Sequence, residues 1–214
     1  MREDIASIRK EYTKAELDEE HVLKNPFKQF EKWFQEALDS KIVEPTAMVL
    51  STVDQENQPF QRTVLLKTFT EDGFVFYTNY QSRKAKQIAG NHKVSLLFPW
   101  YELERQVCIT GKVEKVATSE SLRYFLSRPR GSQLGAWVSN QSEVITSRSI
   151  LETKLAQMKQ KFKEGKIPLP DHWGGYRVIP DSIEFWQGRP SRLHDRIFFE
   201  SVENDRWKIK RLAP

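Results

Sequence analysis

The sequence predicts one α+β domain whose centre is a run of antiparallel strands forming a barrel or sandwich. Three observations predict it. Apolar residues recur at period two over much of 47–118, the connecting segments are short and rich in turn residues, and helical patterns fall mainly at the start and in the second half. A parallel doubly wound sheet needs a crossover helix after each strand, and the middle of the chain has few such intervals.

Residues 1–24 are dense in charge, ending in Glu16-Leu17-Asp18-Glu19-Glu20, and read as a mobile arm or a short surface helix. Asn25-Pro26 then supplies a cap and a proline at the first helical position, and Phe27, Phe30, Phe34 and Leu38 follow at helical spacing. Strands are expected at 47–53, 62–67 and 74–78, divided by the turn residues Asp54-Gln55-Glu56-Asn57 and Glu71-Asp72-Gly73. A short basic helix at 83–89 and strands at 94–98 and 106–116 complete the first half. The second half reads as a helix at 119–126 stopped by Arg128-Pro129, a helix at 147–164, and strands at 176–179, 183–187, 193–201 and 207–211, with Asn204-Asp205 in the last turn. The stretch 165–173, with Pro168 and Pro170, resembles a hinge, but no linker is long enough to separate a second domain from the first. The expected organisation is an N-terminal arm, 1–24, and a single domain, 25–214.

Composition narrows the function. Thirty-four Lys plus Arg against 29 Asp plus Glu leave a net charge of +5 over 214 residues, a bias that favours anionic ligands without requiring nucleic acid. Apolar residues at 38% and a mean hydropathy of −0.63 suit a globular chain, and no stretch approaches the length of a membrane span. The start, Met1-Arg2-Glu3-Asp4, lacks the pattern of a secretory signal, so the expected compartment is the cytosol. Cys108 is the only cysteine, which excludes an internal disulfide, and the four histidines show no ligand spacing, so no metal is expected.

Three cationic clusters carry possible chemistry. Arg192, His194 and Arg196 alternate along an expected strand, opposite Leu193, Ile197 and Phe199, with Trp186 just upstream. Taken alone, such a row is more simply a solvated strand face; the tryptophan favours a planar anionic ligand instead. Tyr124 and Arg128, four apart before Pro129, share one helical face with Ser132 nearby, either as a surface pair or as a phosphate fork flanked by hydroxyls. Arg62 through Lys67, followed by Arg83-Lys84 at a helix start, offers a third anion site; because Arg62 and Lys67 face oppositely on a regular strand, either a bulge intervenes or they meet different groups. Gln106 and Gln141-Ser142 add neutral hydrogen-bonding groups.

At these residues the chain resembles the pyridoxamine 5′-phosphate oxidase family. The likeness rests on Glu184-Phe185-Trp186-Gln187, four residues, then Arg192-Leu193-His194-Asp195-Arg196. Arg62-Thr63-Val64-Leu65-Leu66-Lys67, Tyr77-Thr78-Asn79, Ser82-Arg83-Lys84, Arg128-Pro129-Arg130 with Ser132-Gln133, and Gln141-Ser142 follow the family's order, so it covers about residue 25 to the C-terminus. It implies an FMN-binding split β-barrel with flanking helices, working as a homodimer with FMN in the interface. It further implies hydride transfer from the 4′ carbon of pyridoxamine or pyridoxine 5′-phosphate to flavin N5. Dioxygen is then reduced to hydrogen peroxide, and the products are pyridoxal 5′-phosphate and, from the amine, ammonia. The implied FMN contacts are Arg62, Thr63, Val64, Leu65, Leu66, Lys67, Tyr77, Thr78, Arg83, Lys84, Gln106, Gln141, Ser142, Trp186 and Arg196. Those to substrate are Lys67, Tyr124, Arg128 and Ser132 at the phosphate, Arg192 and His194 at the ring as the catalytic pair, and Arg9 and Tyr12 from an arm that closes over the site. Gly131, where an acidic residue is usual, and Val138-Ser139-Asn140 depart from the pattern while sparing these contacts.

Three rivals remain at this point. A split-barrel oxidase for another aromatic substrate would not need the Tyr124, Arg128 and Ser132 cluster. A non-enzymatic FMN or pyridoxal phosphate carrier would show no substrate-dependent reduction. A nucleic-acid binder using 154–166 is weakened by Glu164 in that run, by Glu152 beside it and by the scarcity of aromatics there.

Overall fold

The computed structural model describes residues 4–203 and 206–214. The expected turn at Asn204-Asp205 and the first three residues of the expected arm lie outside them. The elements are α1 (Pro26–Asp39), β1 (Ala47–Val53), β2 (Pro59–Leu65), β3 (Thr68–Thr70), β4 (Gly73–Asn79), α2 (Arg83–Gly90), β5 (Lys93–Trp100), β6 (Arg105–Lys115), α3 (Thr118–Ser127), α4 (Arg130–Val138), α5 (Ser149–Lys161), β7 (Trp173–Gln187), β8 (Asp195–Val202) and β9 (Arg206–Arg211). The sheet is hydrogen-bonded in the order β2-β1-β5-β6-β7-β4-β3, with β8 on β7 and β9 on β8. The pairs β3–β4, β4–β7, β7–β8 and β8–β9 are antiparallel. Among the described residues no helix is long and apolar enough to cross a membrane.

Two compact units share these strands. The first comprises the chain up to Leu50, Ser95–Gly111 and Pro180–Pro214. Its core begins with α1, where the Asn25 side chain accepts the N–H groups of Phe27 (2.9 Å) and Lys28 (3.2 Å), closing the helix start beside Pro26. The buried face of α1 is Phe27, Phe30, Trp33 and Ala37, whereas Leu38, expected on that face, is exposed. One residue decides this: at about 100° of rotation per residue, position 37 continues the stripe better than 38. Phe30 packs edge-on against Phe98 at 5.0 Å, and Trp33 against Phe185 at 5.2 Å. The charged segment 4–24 lies on this unit, burying Leu17 and Val22. Arg211 donates to Glu19 and to the Leu17 carbonyl, and the Leu17 N–H donates to Asp195.

The second unit comprises Ser51–Val94 and Lys112–Ile179. Its β3–β4 turn requires glycine: Gly73 has φ 131°, and a Cβ there would stand 2.2 Å from the Val178 carbonyl oxygen. Helices α3, α4 and α5 and the following loop gather around Phe125, Leu134, Ile167 and Trp173. Helix α4 has no counterpart among the expected elements, and the two strands expected at 176–179 and 183–187 are the single strand β7.

Candidate active site

Two cavities collect most of the sequence candidates, each lined by residues of one unit. The first, of about 620 Å³, lies in the second unit and takes in Thr63, Val64, Leu65, Lys67, Tyr77, Thr78, Lys84, Tyr124, Arg128, Ser132 and Gln141. Tyr77 stacks on Tyr124 at 4.0 Å and on Trp173 at 5.4 Å, forming an aromatic wall. The Arg128 guanidinium lies over Trp173 at 4.6 Å, and its Nη1 is buried without a hydrogen-bond partner among the described residues. A guanidinium nitrogen left in that state is costly unless an anion or water meets it. Arg128 is not helical: it caps α3 in an extended conformation, so the i, i+4 argument for Tyr124 and Arg128 is replaced by a turn that brings both to one cavity. Ser132 lies in the first turn of α4, whose start presents the positive end of a helix dipole.

Lys84 reinforces the preference for anions. It is buried on the first turn of α2 and donates to Gln141 Oε1 (2.9 Å) and Thr78 Oγ1 (3.2 Å), both neutral oxygens. Burial, with Arg62 adding repulsion, brings its ammonium down to about 8. Burial also pushes the Tyr77 phenol up to about 12 and raises that of Tyr124, so both remain hydroxyl donors at neutral pH.

The second cavity, of about 690 Å³, lies in the first unit and is lined by Arg9, Tyr12, Gln106, Trp186, Arg192 and His194, with Arg189 and Ser191. The alternation expected for Arg192, His194 and Arg196 is overturned. Residues 190–192 form a 3-10 turn, Ser191 and Arg192 have φ of 54° and 62°, and β8 begins only at Asp195. Leu193, expected to share the face of the buried Ile197 and Phe199, is exposed. Two consecutive left-handed non-glycine residues store strain, and the turn nevertheless brings Arg192 to the cavity. His194 packs against Trp186 at 4.6 Å, and its Nδ1 accepts the Arg189 N–H at 3.1 Å. That bond leaves the neutral ring's proton on Nε2. Burial first, then Arg192, lowers the pKa of His194, against an opposing pull from Asp195.

The remaining candidates line neither cavity. Arg62 donates to Thr52 Oγ1 (2.6 Å) and Gln87 Oε1 (3.2 Å), so it and Lys67 do meet different groups; β2 ends at Leu65 and no bulge is required. Leu66 is buried, Ser142 is exposed, and the exposed Arg83 lies over the Phe60 ring at 5.7 Å. Arg196 forks onto Glu184 (2.8 and 3.1 Å) and donates to the Ala213 carbonyl. The sequence reading missed Trp173, whose aromatic character beside Gly174-Gly175 was the available signal. It also missed Glu104, for which local sequence offered none. Among the described residues no cluster of His, Cys, Asp or Glu is arranged to hold a metal.

Residues 34–162 match the sequence model of a family described as pyridoxamine 5′-phosphate oxidase. The chain belongs to that family. Residues 173–214 match a second model, the pyridoxine 5′-phosphate oxidase C-terminal dimerisation region. Relatives named pyridoxine/pyridoxamine 5′-phosphate oxidase include one from Aliarcobacter butzleri, 56% identical over 99% of this chain and all of that protein. Another, from Crocosphaera subtropica, is 58% identical over 99% of this chain and all of that protein. Among solved structures, PhzG from Burkholderia lata, in complex with tetrahydrophenazine-1-carboxylic acid, superposes with a TM-score of 0.86 at 26% identity, covering 91% of this chain and 95% of that one. A pyridoxamine 5′-phosphate oxidase-related, FMN-binding protein from Nostoc punctiforme gives 0.71 at 15% identity, covering 89% of this chain and 98% of that one, a likeness of fold alone. The fold is thus the split β-barrel of this oxidase family, with the flanking helices that the resemblance implied.

Proposed function

We propose that the protein oxidises pyridoxamine or pyridoxine 5′-phosphate to pyridoxal 5′-phosphate with bound FMN, as a homodimer that joins the first cavity of one protomer to the second cavity of its partner. The observation that carries the reading is the first cavity's demand for anions. Among the described residues it holds an orphaned Arg128 nitrogen and a buried Lys84 paired only to neutral oxygens. A substrate without phosphate, the condition of the split-barrel rival, would leave Arg128 Nη1 unanswered.

The residues present fit a phosphorylated flavin. Thr63, Val64, Leu65, Lys67, Tyr77, Thr78, Lys84 and Gln141 would hold it from the first cavity, and Gln106 and Trp186 from the second. Arg62, Leu66, Arg83, Ser142 and Arg196 complete the contact set that the family resemblance implies. When bound, the flavin supplies a two-electron acceptor that takes a hydride from the substrate C4′ and passes both electrons to dioxygen, yielding hydrogen peroxide.

The chain's own groups bind and align. Lys67, Tyr124, Arg128 and Ser132 would hold the substrate phosphate, the two hydroxyls and the guanidinium as donors. Arg192 and His194 would hold the pyridine ring, with His194 donating from Nε2 because its Nδ1 is already engaged by the Arg189 N–H. That engagement favours an orienting role for His194 over proton abstraction. Tyr12 and Arg9 line the second cavity and would exclude water from the bound substrate. For the amine, the nitrogen's proton leaves to solvent, and hydrolysis of the resulting imine releases ammonia.

The deciding experiment is the visible spectrum of the purified, FMN-reconstituted protein before and after anaerobic addition of pyridoxamine 5′-phosphate. The expected result is bleaching of the flavin band and its recovery on admitting air. Bound flavin that stays oxidised would overturn the substrate assignment, and failure to bind FMN would overturn the cavity assignment.

A further inference from the structure

Glu104 lies outside every cluster described above, yet it is almost completely buried, at 3% exposure. It ends the 3-10 turn Tyr101–Leu103 in the left-handed region (φ 56°, ψ 38°), a conformation that a glutamate adopts only under constraint. The constraint is visible on both sides of the residue. Its carbonyl accepts the Gly188 N–H at 2.7 Å and Gln187 Nε2 at 3.2 Å, fixing it to the end of β7 directly after Trp186. Its carboxylate faces residues 10–14: Oε2 accepts the N–H groups of Thr13 (2.8 Å) and Lys14 (3.1 Å), and Oε1 pairs with Lys10 Nζ at 3.3 Å.

Tyr12 sits between those anchors. Its ring meets Trp186 edge-on at 5.8 Å and His194 at 5.9 Å, and it packs so closely on Gly188 that a Cβ there would stand 2.7 Å from Tyr12 Cγ. The next residues of the arm are held by other groups. Arg189 donates to the Ala15 carbonyl (3.2 Å) and pairs with Glu16, while Asp195 accepts the Leu17 N–H. Glu104 therefore governs the part of the arm that reaches the second cavity and leaves the rest anchored. Burial pushes its carboxyl up, but the Lys14 and Thr13 amides and the Lys10 ammonium outweigh that, so it stays ionised at neutral pH.

We propose that Glu104 is a positioning residue that latches residues 10–14, setting Tyr12 and Arg9 over the second cavity for the oxidation. The catalytic consequence rests on the function proposed above; the latch itself does not. Full-length, FMN-loaded protein tests both. Glu104→Gly deletes the carboxylate while suiting the left-handed backbone at this position. Trypsin cleavage after Arg9, Lys10 and Lys14 should accelerate about tenfold, and kcat/KM for pyridoxamine 5′-phosphate should fall about tenfold, chiefly through KM, with flavin affinity unchanged. Glu104→Gln keeps one oxygen for both backbone N–H groups and should fall between. Adding Tyr12→Ala to Glu104→Gly should cost little more than the worse single change, because both act through one ring. Gly188→Ala, which displaces Tyr12 without touching Glu104, should raise KM in the same way. Parental cleavage rates in Glu104→Gly, additive losses in the double variant, or a parental KM in Gly188→Ala would each overturn the proposal. Faster cleavage in a protein whose parent never turns over would support the latch and reject the functional reading.

Discussion

Arg128 and Lys84 show how one side chain's surroundings state what it is for. Arg128 packs its guanidinium on Trp173 and keeps Nη1 buried and unanswered among the described residues, a state of higher free energy that a bound phosphate would relieve. Arg128→Ala should therefore raise KM for the phosphorylated substrate by roughly tenfold or more with a smaller change in kcat; identical steady-state kinetics would remove it from the phosphate site. Lys84 carries a pH signature. Its folded pKa of about 8 lies below the free value of 10.5, so the fold disfavours the charged form, and that penalty is relieved as pH rises from about 8 towards 10.5. Anion binding has the opposite sign, because it needs the ammonium. FMN affinity should weaken as pH rises above about 8, and Lys84→Met should flatten that dependence; titration by flavin fluorescence would show both. The identities of these residues were legible in the sequence, as were Tyr124, Ser132 and His194. The burial that perturbs them was not, because desolvation is a property of neighbours distant in the chain.

Among the elements, α1 was the plainest, since its cap, its proline and its aromatic stripe are all local signals. Asn25→Ala, which removes the acceptor for the Phe27 and Lys28 N–H groups, should cost about 1 kcal/mol in urea unfolding with an unchanged m-value; no loss would mean the cap is replaceable by water. Strand β7 reads as two strands because Pro180 interrupts it. In the fold, Pro180 falls between the β4 ladder, which ends at Val178, and the β8 ladder, which begins at Ser182, so its missing N–H removes no bond from either. Helix α4 is hidden by Gly131 and Gly135, which lower helical propensity; burial of Leu134 and Val138 offsets that cost. The Arg192 and His194 turn misleads in the other direction. Period-two spacing looks like a strand, but left-handed backbone at Ser191 and Arg192 brings both side chains to the cavity by a different route.

For the molecule as a whole, the two cavities matter most, because each belongs to one compact unit and holds only a fraction of the proposed contact set. The match of residues 173–214 to a dimerisation region makes a two-fold assembly the natural way to complete it. This predicts complementation between inactive chains. A Lys84→Ala chain mixed with an Arg192→Ala chain under subunit exchange should recover about a quarter of parental activity, since half the dimers are mixed and each mixed dimer has one intact site. No recovery, with mixed dimers demonstrated, would place both halves of the site within one chain.

By itself, the sequence determined the α+β class and the succession of helices and strands in outline, the capped first helix, the cationic clusters and the family resemblance. These are local or linear properties: periodicity, cap chemistry and ordered motifs survive without knowledge of contacts. Tertiary structure decided which candidates line a cavity, which of them pair elsewhere as Arg196 does with Glu184, and how Glu104 ties the arm down across some ninety residues of chain. Those outcomes depend on burial and on partners far apart in sequence, and both come into being only when the chain folds.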